Sequence, residues 1–108
     1  MVSFAGGWLA LFPRIAAEER ARRQAYIIDE LAHFGSRYPG PTLWVYASRD
    51  ANTPTEEAVI ARHDAYMRAG GHAELLFIRE NHLPNGHHVV QQPELWEPQL
   101  VEFLGNLL

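Results

Sequence analysis

Two short apolar segments most constrain what this chain can fold into. Residues 42–47 and 73–78 are bounded by turn residues, and the first is rich in β-branched and aromatic side chains. Continuous apolar runs of this length are typical of strands buried on both faces of a parallel sheet. A helical pattern lies between them. The chain is therefore expected to contain a strand–helix–strand unit whose two strands run parallel.

The intervening helix has recognisable start and stop signals. Thr53 is expected to cap its N-terminus, with Pro54 at the first helical position and Glu56 three residues after the cap. Gly70 and Gly71 supply a left-handed stop. The apolar spacing predicts that the inner face of this helix consists of Val59, Ile60, His63, Tyr66 and Met67.

The flanking segments extend the same alternation. The pattern over residues 15–34 predicts a helix that ends at Gly35. Residues 1–5 are expected to form a strand before Gly6 and Gly7, and a last helix is expected to begin near residue 93. Residues 79–92 are rich in Asn, His, Pro and Gly and predict an irregular loop. The resulting order, β-α-β-α-β-α, predicts one α/β domain over residues 1–108. It is a three-layer fold with a parallel sheet and right-handed crossovers.

The predicted helices have distinct inner faces. The first is expected to bury Ala16, Ala21, Ala25, Ile28 and Leu31, and the last Trp96, Leu100, Phe103, Leu104 and Leu107. Three parallel strands would leave two open sheet edges. The chain is therefore expected to be part of a larger domain, or to pair with something.

Charge and composition exclude several classes of function. The formal net charge is -4, and the basic group Arg20, Arg22 and Arg23 has Glu18 and Glu19 beside it, which predicts a solvated helix face rather than a nucleic-acid site. The chain has no cysteine, so disulfides, thiolate metal sites and a cysteine nucleophile are excluded.

The sequence shows neither the pattern of a membrane-spanning segment nor that of a signal peptide. No segment approaches the roughly 20 apolar residues that span a bilayer. The apolar N-terminus is short and lacks a preceding basic residue, which argues against a signal peptide. A cytoplasmic location without membrane association is the default prediction.

Ionisable side chains follow both predicted inner strands. Ligands of open parallel sheets bind beyond the carboxyl ends of the strands. Asp50 lies three residues past the first of these strands; taken alone, it is better explained by a local turn in which it bonds backbone amides. His82, His87 and His88 follow the next strand, and they form either an incidental surface loop or a zinc-binding loop. The other histidines, at positions 33, 63 and 72, are interpreted as structural.

Taken together, the two loops favour a catalytic interpretation. An acid after one strand and a histidine after the next is the end of the Ser…Asp…His order used by one hydrolase architecture. In such a triad the Asp orients the imidazole, and the His takes a proton from the nucleophile and returns it to the leaving group.

The sequence resembles the α/β-hydrolase family, most closely its dienelactone-hydrolase-like branch. The resemblance covers nearly the whole chain and depends on the order and spacing of motifs that are individually weak. These are Val2-Ser-Phe-Ala-Gly-Gly7, Leu43-Trp-Val-Tyr-Ala47 into Ser48-Arg-Asp50 and Pro54, Ala69-Gly70-Gly71-His72, Glu74-Leu-Leu-Phe-Ile78, Asn85-Gly86-His87, Trp96-Glu-Pro98 and Val101-Glu-Phe-Leu104.

The resemblance implies hydrolysis of a small-molecule ester or related acyl compound, with no metal and no cofactor. Asp50 matches the triad acid of the family. His87 matches the triad base because it follows Gly86, although the adjacent His88 leaves an ambiguity of one residue.

The nucleophile of that family is missing. It sits in G-x-S-x-G on a strand-to-helix elbow, and this motif does not occur here. Ser3 falls in a predicted strand, Ser36 at the opposite end of the sheet, and Ser48 too close to Asp50 and on no elbow. The chain thus matches the C-terminal half of a serine hydrolase and is expected to be inactive alone, since losing a triad member or oxyanion donor costs orders of magnitude in rate.

An alternative function requires no catalysis. The chain would then be a small α/β protein that acts by homo-oligomerisation. Its apolar N-terminal residues Trp8, Leu9, Leu11 and Phe12 would cover an exposed sheet edge.

Overall fold

The computed structural model of the protein describes residues 1–4, 17–50 and 55–107. The elements follow the predicted order β-α-β-α-β-α. They are β1 (Val2–Phe4), α1 (Ala17–Arg37), β2 (Pro41–Ala47), α2 (Glu56–Arg68), β3 (His72–Ile78) and α3 (Glu97–Gly105), with 3₁₀ turns at Gly86–Gln91 and Pro93–Leu95 before α3.

The three strands form one parallel sheet in the order β1-β2-β3. Val45 in the central strand pairs with Phe4 on one side and with Leu76 on the other. β2 is therefore hydrogen bonded along both edges, and six of its seven residues are buried. This confirms the predicted parallel α/β fold.

The alternation of side chains along β2 separates two apolar clusters. Leu43 and Val45 point towards the layer that contains α3 and its Phe103. Trp44 and Tyr46 point to the opposite face, where they pack on α2 and on Leu31 of α1. The sheet thus lies between two helical layers, as a three-layer fold requires.

Helix α1 extends past the predicted stop at Gly35 and ends at Arg37. A Cβ atom at position 35 would lie 2.6 Å from the backbone oxygen of Tyr66 in α2. Gly35 is therefore a point of close helix–helix approach rather than a terminator. The predicted inner face was also wrong in part, because Ile27 is buried whereas Ala21 and Ala25 are exposed. The predicted helix start, residues 15 and 16, lies outside the described residues.

Helix α2 is capped by Thr55 and not by Thr53. The Thr55 hydroxyl accepts a hydrogen bond from the Ala58 N–H at 3.0 Å, which satisfies a donor of the first helical turn. Thr53 and Pro54 themselves lie outside the described residues. Two members of the predicted inner face, Ile60 and Met67, are more than 40% exposed.

Arg62, which the apolar spacing placed outside that face, is fully buried. Because Arg62 follows Val59 by three residues and precedes Tyr66 by four, these positions share one side of the helix. The true inner face of α2 is therefore Val59, Arg62 and Tyr66.

The C-terminal region is more regular than predicted. The segment expected to be an irregular loop contains the 3₁₀ turn at Gly86–Gln91, and α3 begins at Glu97 after a second 3₁₀ turn. Of the predicted inner face of α3, Phe103 is buried, but Leu104 and Leu107 are about half exposed. No helix within the described ranges is long and apolar enough to cross a membrane.

Candidate acid–base site

Asp50 and His87 are brought together at the carboxyl end of the sheet. The Asp50 Oδ2 atom lies 3.3 Å from His87 Nδ1. The Asp50 side chain is 1% exposed and that of His87 is 33% exposed. A buried carboxylate therefore faces an imidazole that solvent can reach. The separation is slightly longer than the roughly 2.7–3.2 Å of a usual N–H···O hydrogen bond.

Gly86 permits this approach because it has no side chain. A Cβ atom at position 86 would lie 2.0 Å from the carbonyl oxygen of Ser48. The Gly86 N–H also donates to the Arg49 carbonyl at 3.1 Å. Gly86 does not have a positive φ; among the described glycines only Gly70 does. Close contact between the two loops is the reason for glycine here.

The 3₁₀ turn holds the backbone of His87. The Asn85 side-chain oxygen accepts a hydrogen bond from the His87 N–H at 3.0 Å, in the manner of a helix cap. Val89 is fully buried in the aliphatic cluster, and its carbonyl accepts from the indole N–H of Trp96 at 3.0 Å. His87 is thus carried on a segment anchored to the core.

A second set of hydrogen bonds joins the loop after β2 to the segment after β3. The Arg49 guanidinium donates to the backbone oxygen of Asn81 and, at 2.9 Å, to its side-chain oxygen. The Ser48 hydroxyl donates to the Arg79 carbonyl at 2.6 Å and accepts from the Asn81 amide at 3.2 Å. Arg49 has a φ of 60°, a left-handed conformation that is uncommon outside glycine.

These bracing residues were not identified from the sequence. The sequence assigned no role to Arg49 or Asn81, and only their positions shortly after β2 and β3 connect them with the site. In these contacts the Ser48 hydroxyl is hydrogen bonded on both sides to the segment after β3, and no hydrogen bond joins it to His87.

The remaining serines are also separated from His87. Ser3 is the central residue of β1, and Ser36 lies in the last turn of α1, where its hydroxyl donates to the His33 carbonyl at 2.7 Å. Within the described part of the chain, no serine hydroxyl is hydrogen bonded to His87.

The geometry distinguishes His87 from its neighbour. Asp50 contacts His87, whereas His88 is exposed and its ring centroid lies 5.9 Å from that of His87. His82 is also exposed. Among residues 1–4, 17–50 and 55–107, no three His, Asp or Glu side chains gather into a group that could hold a metal ion, and this includes His82, His87 and His88.

The other histidines have ordinary structural surroundings. His63 Nε2 lies 2.8 Å from the Ala73 carbonyl oxygen, and the ring packs edge-on against Trp44. His72 opens β3 instead of lying in a turn, and His33 lies within α1 rather than at its end.

A buried polar cluster lies beneath the site, on the α1/α2 face of the sheet. Arg62 Nε donates to the Gln24 side-chain oxygen at 2.9 Å, and the Gln24 amide donates to the Ala58 carbonyl at 2.9 Å. The Tyr46 hydroxyl is hydrogen bonded to Arg62. Burial raises the pKa of Tyr46; the Arg62 guanidinium opposes this effect and the negative charge of Asp50 adds to it.

What the pair can do chemically depends on which ring nitrogen of His87 faces Asp50. A neutral imidazole that donates its Nδ1–H to Asp50 has its lone pair on Nε2, at the opposite edge of the ring. That arrangement is a general base whose tautomer is held by a carboxylate.

Comparison of the chain with models of protein families, with curated proteins and with solved structures yields no match.

Proposed function

We propose that Asp50 and His87 are the acid and base of a serine-type α/β-hydrolase acting on small-molecule esters or related acyl compounds. The main observation that supports this proposal is the 3.3 Å contact between the buried Asp50 carboxylate and His87 Nδ1. It joins the two residues that the dienelactone-hydrolase-like resemblance selects. It also favours His87 over His88 as the base.

The proposal assigns the nucleophile and the oxyanion donors to another segment of polypeptide. Among the described residues no serine hydroxyl is hydrogen bonded to His87; on this proposal the chain is the C-terminal part of the catalytic unit and is inactive alone. The site requires no metal or cofactor, and a cytoplasmic location without nucleic-acid partners belongs to the same proposal.

The 108-residue protein tests the first half of this proposal. Hydrolysis of an activated aryl ester is expected to proceed at the same background rate with the wild type, with His87→Ala and with His88→Ala as the matched control. Steady turnover that His87→Ala abolishes and His88→Ala retains would contradict the assignment of the nucleophile to another segment.

The DNA upstream of the Met1 codon tests the second half. An in-frame G-x-S-x-G within a strand–turn–helix pattern is expected there. The longer protein should then hydrolyse the ester, and Asp50→Asn should lower kcat by roughly 10⁴-fold, because the imidazole would be held in the wrong tautomer. If the longer protein is active and Asp50→Asn leaves its kcat unchanged, the proposed role of the pair is refuted.

A specific observation supports the alternative function, association of two copies. Within the described residues β1 pairs only with β2, so its outer edge offers free backbone groups. An apolar groove of about 660 Å³ lies beside this edge, lined by Tyr26, Phe34, Trp44 and others. The N-terminal residues 8–12, predicted to cover an edge, lie outside the described residues.

Light scattering after size-exclusion chromatography tests this alternative. The Leu43 N–H donates to the Met1 carbonyl, so residues 1 and 3 of the parallel ladder face β2 and the Val2 N–H faces outward. A dimer that dissociates when Val2→Pro removes this outward-facing donor would support the alternative. A folded wild-type monomer would exclude it.

A further inference from the structure

Arg49 lies directly before the buried acid and has an uncommon backbone conformation. Its φ is 60°, and among the described residues it alone has a positive φ without being glycine. This left-handed region brings the Cβ atom close to the following carbonyl oxygen, so residues other than glycine seldom adopt it. Because Asp50 is the next residue, a return of Arg49 to a negative φ would move the Asp50 carboxylate relative to His87.

The side chain of Arg49 is bound to the segment that follows β3. Its guanidinium donates from one terminal nitrogen to the backbone oxygen of Asn81 and, at 2.9 Å, to the Asn81 side-chain oxygen. Asn81 is itself held in place, because its amide donates to the Ser48 hydroxyl at 3.2 Å and its side-chain oxygen accepts from the Leu83 N–H at 3.1 Å. The arginine thus binds an acceptor whose orientation is already fixed.

The backbone of Arg49 contacts the other half of the pair. Its carbonyl accepts a hydrogen bond from the Gly86 N–H at 3.1 Å, and Gly86 directly precedes His87. A Cβ atom at position 86 would collide with the Ser48 carbonyl oxygen, so the two loops are in direct contact here. Arg49 is therefore joined to the acid through the chain and to the segment of the base through a hydrogen bond.

We propose that Arg49 is a positioning residue for the Asp50–His87 pair, because its hydrogen bonds to Asn81 hold the left-handed turn that directs the Asp50 carboxylate at His87 Nδ1. Glycine would adopt this conformation more easily, but it could not make the bonds to Asn81. The catalytic use of this placement rests on the proposed function, whereas the placement itself does not.

Long-range ¹H–¹⁵N NMR of the histidine rings in the 108-residue protein tests the inference without any enzymatic activity. Asp50→Ala defines the His87 ring signals that accompany loss of the 3.3 Å contact. Arg49→Ala removes the guanidinium but retains the disfavoured φ, and it should move the His87 signals most of the way to those of Asp50→Ala. Arg49→Gly also removes the guanidinium but adopts a positive φ freely, so its His87 signals should stay closer to those of the wild type.

Arg79→Ala is the matched control. Arg79 also follows β3, but its guanidinium lies 2.7 Å from the Glu56 carboxylate of α2, so its loss should leave the His87 signals unchanged. The ring of His63, which packs edge-on against Trp44 in the core, reports on the fold in the same spectra. Its signals should be the same in Arg49→Ala as in the wild type.

Asn81→Ala covers the case in which Arg49→Ala does not fold. It removes one of the two acceptors of Arg49 and should shift the His87 signals in the same direction by a smaller amount. Wild-type His87 signals in a folded Arg49→Ala or Asn81→Ala protein would overturn the inference. So would an Arg49→Gly protein whose His87 signals depart from the wild type as far as those of Arg49→Ala.

The result is separable from the proposed function. If the His87 signals respond to Arg49 but the longer protein shows no ester hydrolysis, the positioning role stands and the hydrolase assignment fails. If hydrolysis depends on Asp50 and His87 while Arg49→Ala changes neither kcat nor the His87 signals, the positioning role fails alone.

Discussion

The side chains with which β2 faces α3 are aliphatic, whereas those with which it faces α1 and α2 are mostly aromatic and pack beside a buried arginine; these two sides are called the aliphatic face and the aromatic face. Leu43 and Val45 represent the first face, and Trp44, Tyr46 and Arg62 the second. Both sets of strand residues come from the same stretch of β2 by simple alternation. One strand thus separates a layer whose buried side chains are apolar from a layer that also buries a charged one.

The two faces support the two halves of the candidate site differently. The aliphatic face anchors the 3₁₀ turn that carries His87, through buried Val89 and the Trp96 hydrogen bond. The aromatic face lies beneath Asp50, where Arg62 and Tyr46 shape the electrostatic environment. The base is therefore held by apolar packing, whereas the acid lies above a layer that contains buried polar groups.

The largest expected effect is on the aliphatic face. Phe103→Ala should lower the free energy of unfolding by roughly 3–5 kcal/mol, because it leaves a cavity among well-packed apolar side chains. Urea denaturation followed by circular dichroism measures this loss. Leu104→Ala, next to it on α3 but 47% exposed, is the control and should cost much less. Equal losses would mean that the two positions of α3 are packed alike.

A smaller effect is expected where α1 and α2 touch. Gly35→Ala should destabilise the protein by roughly 1–3 kcal/mol, because the added methyl group meets the Tyr66 backbone and forces the helices apart. Gly105→Ala is the control, since a Cβ atom there meets nothing within 4 Å; in a helix the change should be neutral or stabilising. A stabilising Gly35→Ala would refute the close approach.

Loss of the α2 cap should cost about 1 kcal/mol. Thr55→Ala removes the hydroxyl that accepts from the Ala58 N–H, which leaves a donor of the first turn unsatisfied. Thr55→Ser retains the acceptor and should behave like the wild type in the same urea experiment. If Thr55→Ala also matches the wild type, the helix begins elsewhere in solution.

The smallest effect appears only in alkaline solution and is confined to the aromatic face. Burial raises the pKa of Tyr46 above its ordinary value of 10.0. The neutral phenol therefore favours the folded state: its contribution is complete below about pH 10 and is lost as pH rises through the raised pKa. Tyr46→Phe should weaken the fall in stability above pH 10.

Tyr26→Phe, which removes an exposed hydroxyl, is the control for that measurement. The stability of wild-type and variant proteins should be compared by thermal unfolding at several pH values between neutral and strongly alkaline. If the stability of the wild type and of Tyr46→Phe falls equally at alkaline pH, the Tyr46 hydroxyl is exposed to solvent and does not lie in the buried cluster.

Several features of the fold were predictable because they depend on local sequence. The strands were predicted because continuous apolar runs are bounded by turn residues. The end of α2 was predicted from Gly70, which has a φ of 105° in the structure. The order of elements then followed from the alternation itself. Asp50 and His87 were selected because they come after neighbouring parallel strands, whose carboxyl ends share one edge of the sheet.

The errors share a physical origin. Gly35 was read as a helix stop because glycine commonly ends helices, but here it allows α2 to approach. Ile60 and Met67 were expected inside and Arg62 outside, since hydropathy favours that arrangement. The helix instead buries an arginine, for which α1 supplies Gln24 and β2 supplies Tyr46 as hydrogen-bond partners.

The sequence by itself determined the parallel α/β order, the edge of the sheet at which ionisable groups gather, and the absence of an elbow serine. These follow from periodicity, turn residues and composition, which act over a few residues. Only the tertiary structure decided that Asp50 contacts His87 rather than His88, and that Arg62 lies buried beneath them. Those outcomes depend on contacts between residues far apart in the chain: Gly86 against Ser48, and Gln24 against Arg62. No local pattern encodes which distant group will satisfy a buried charge.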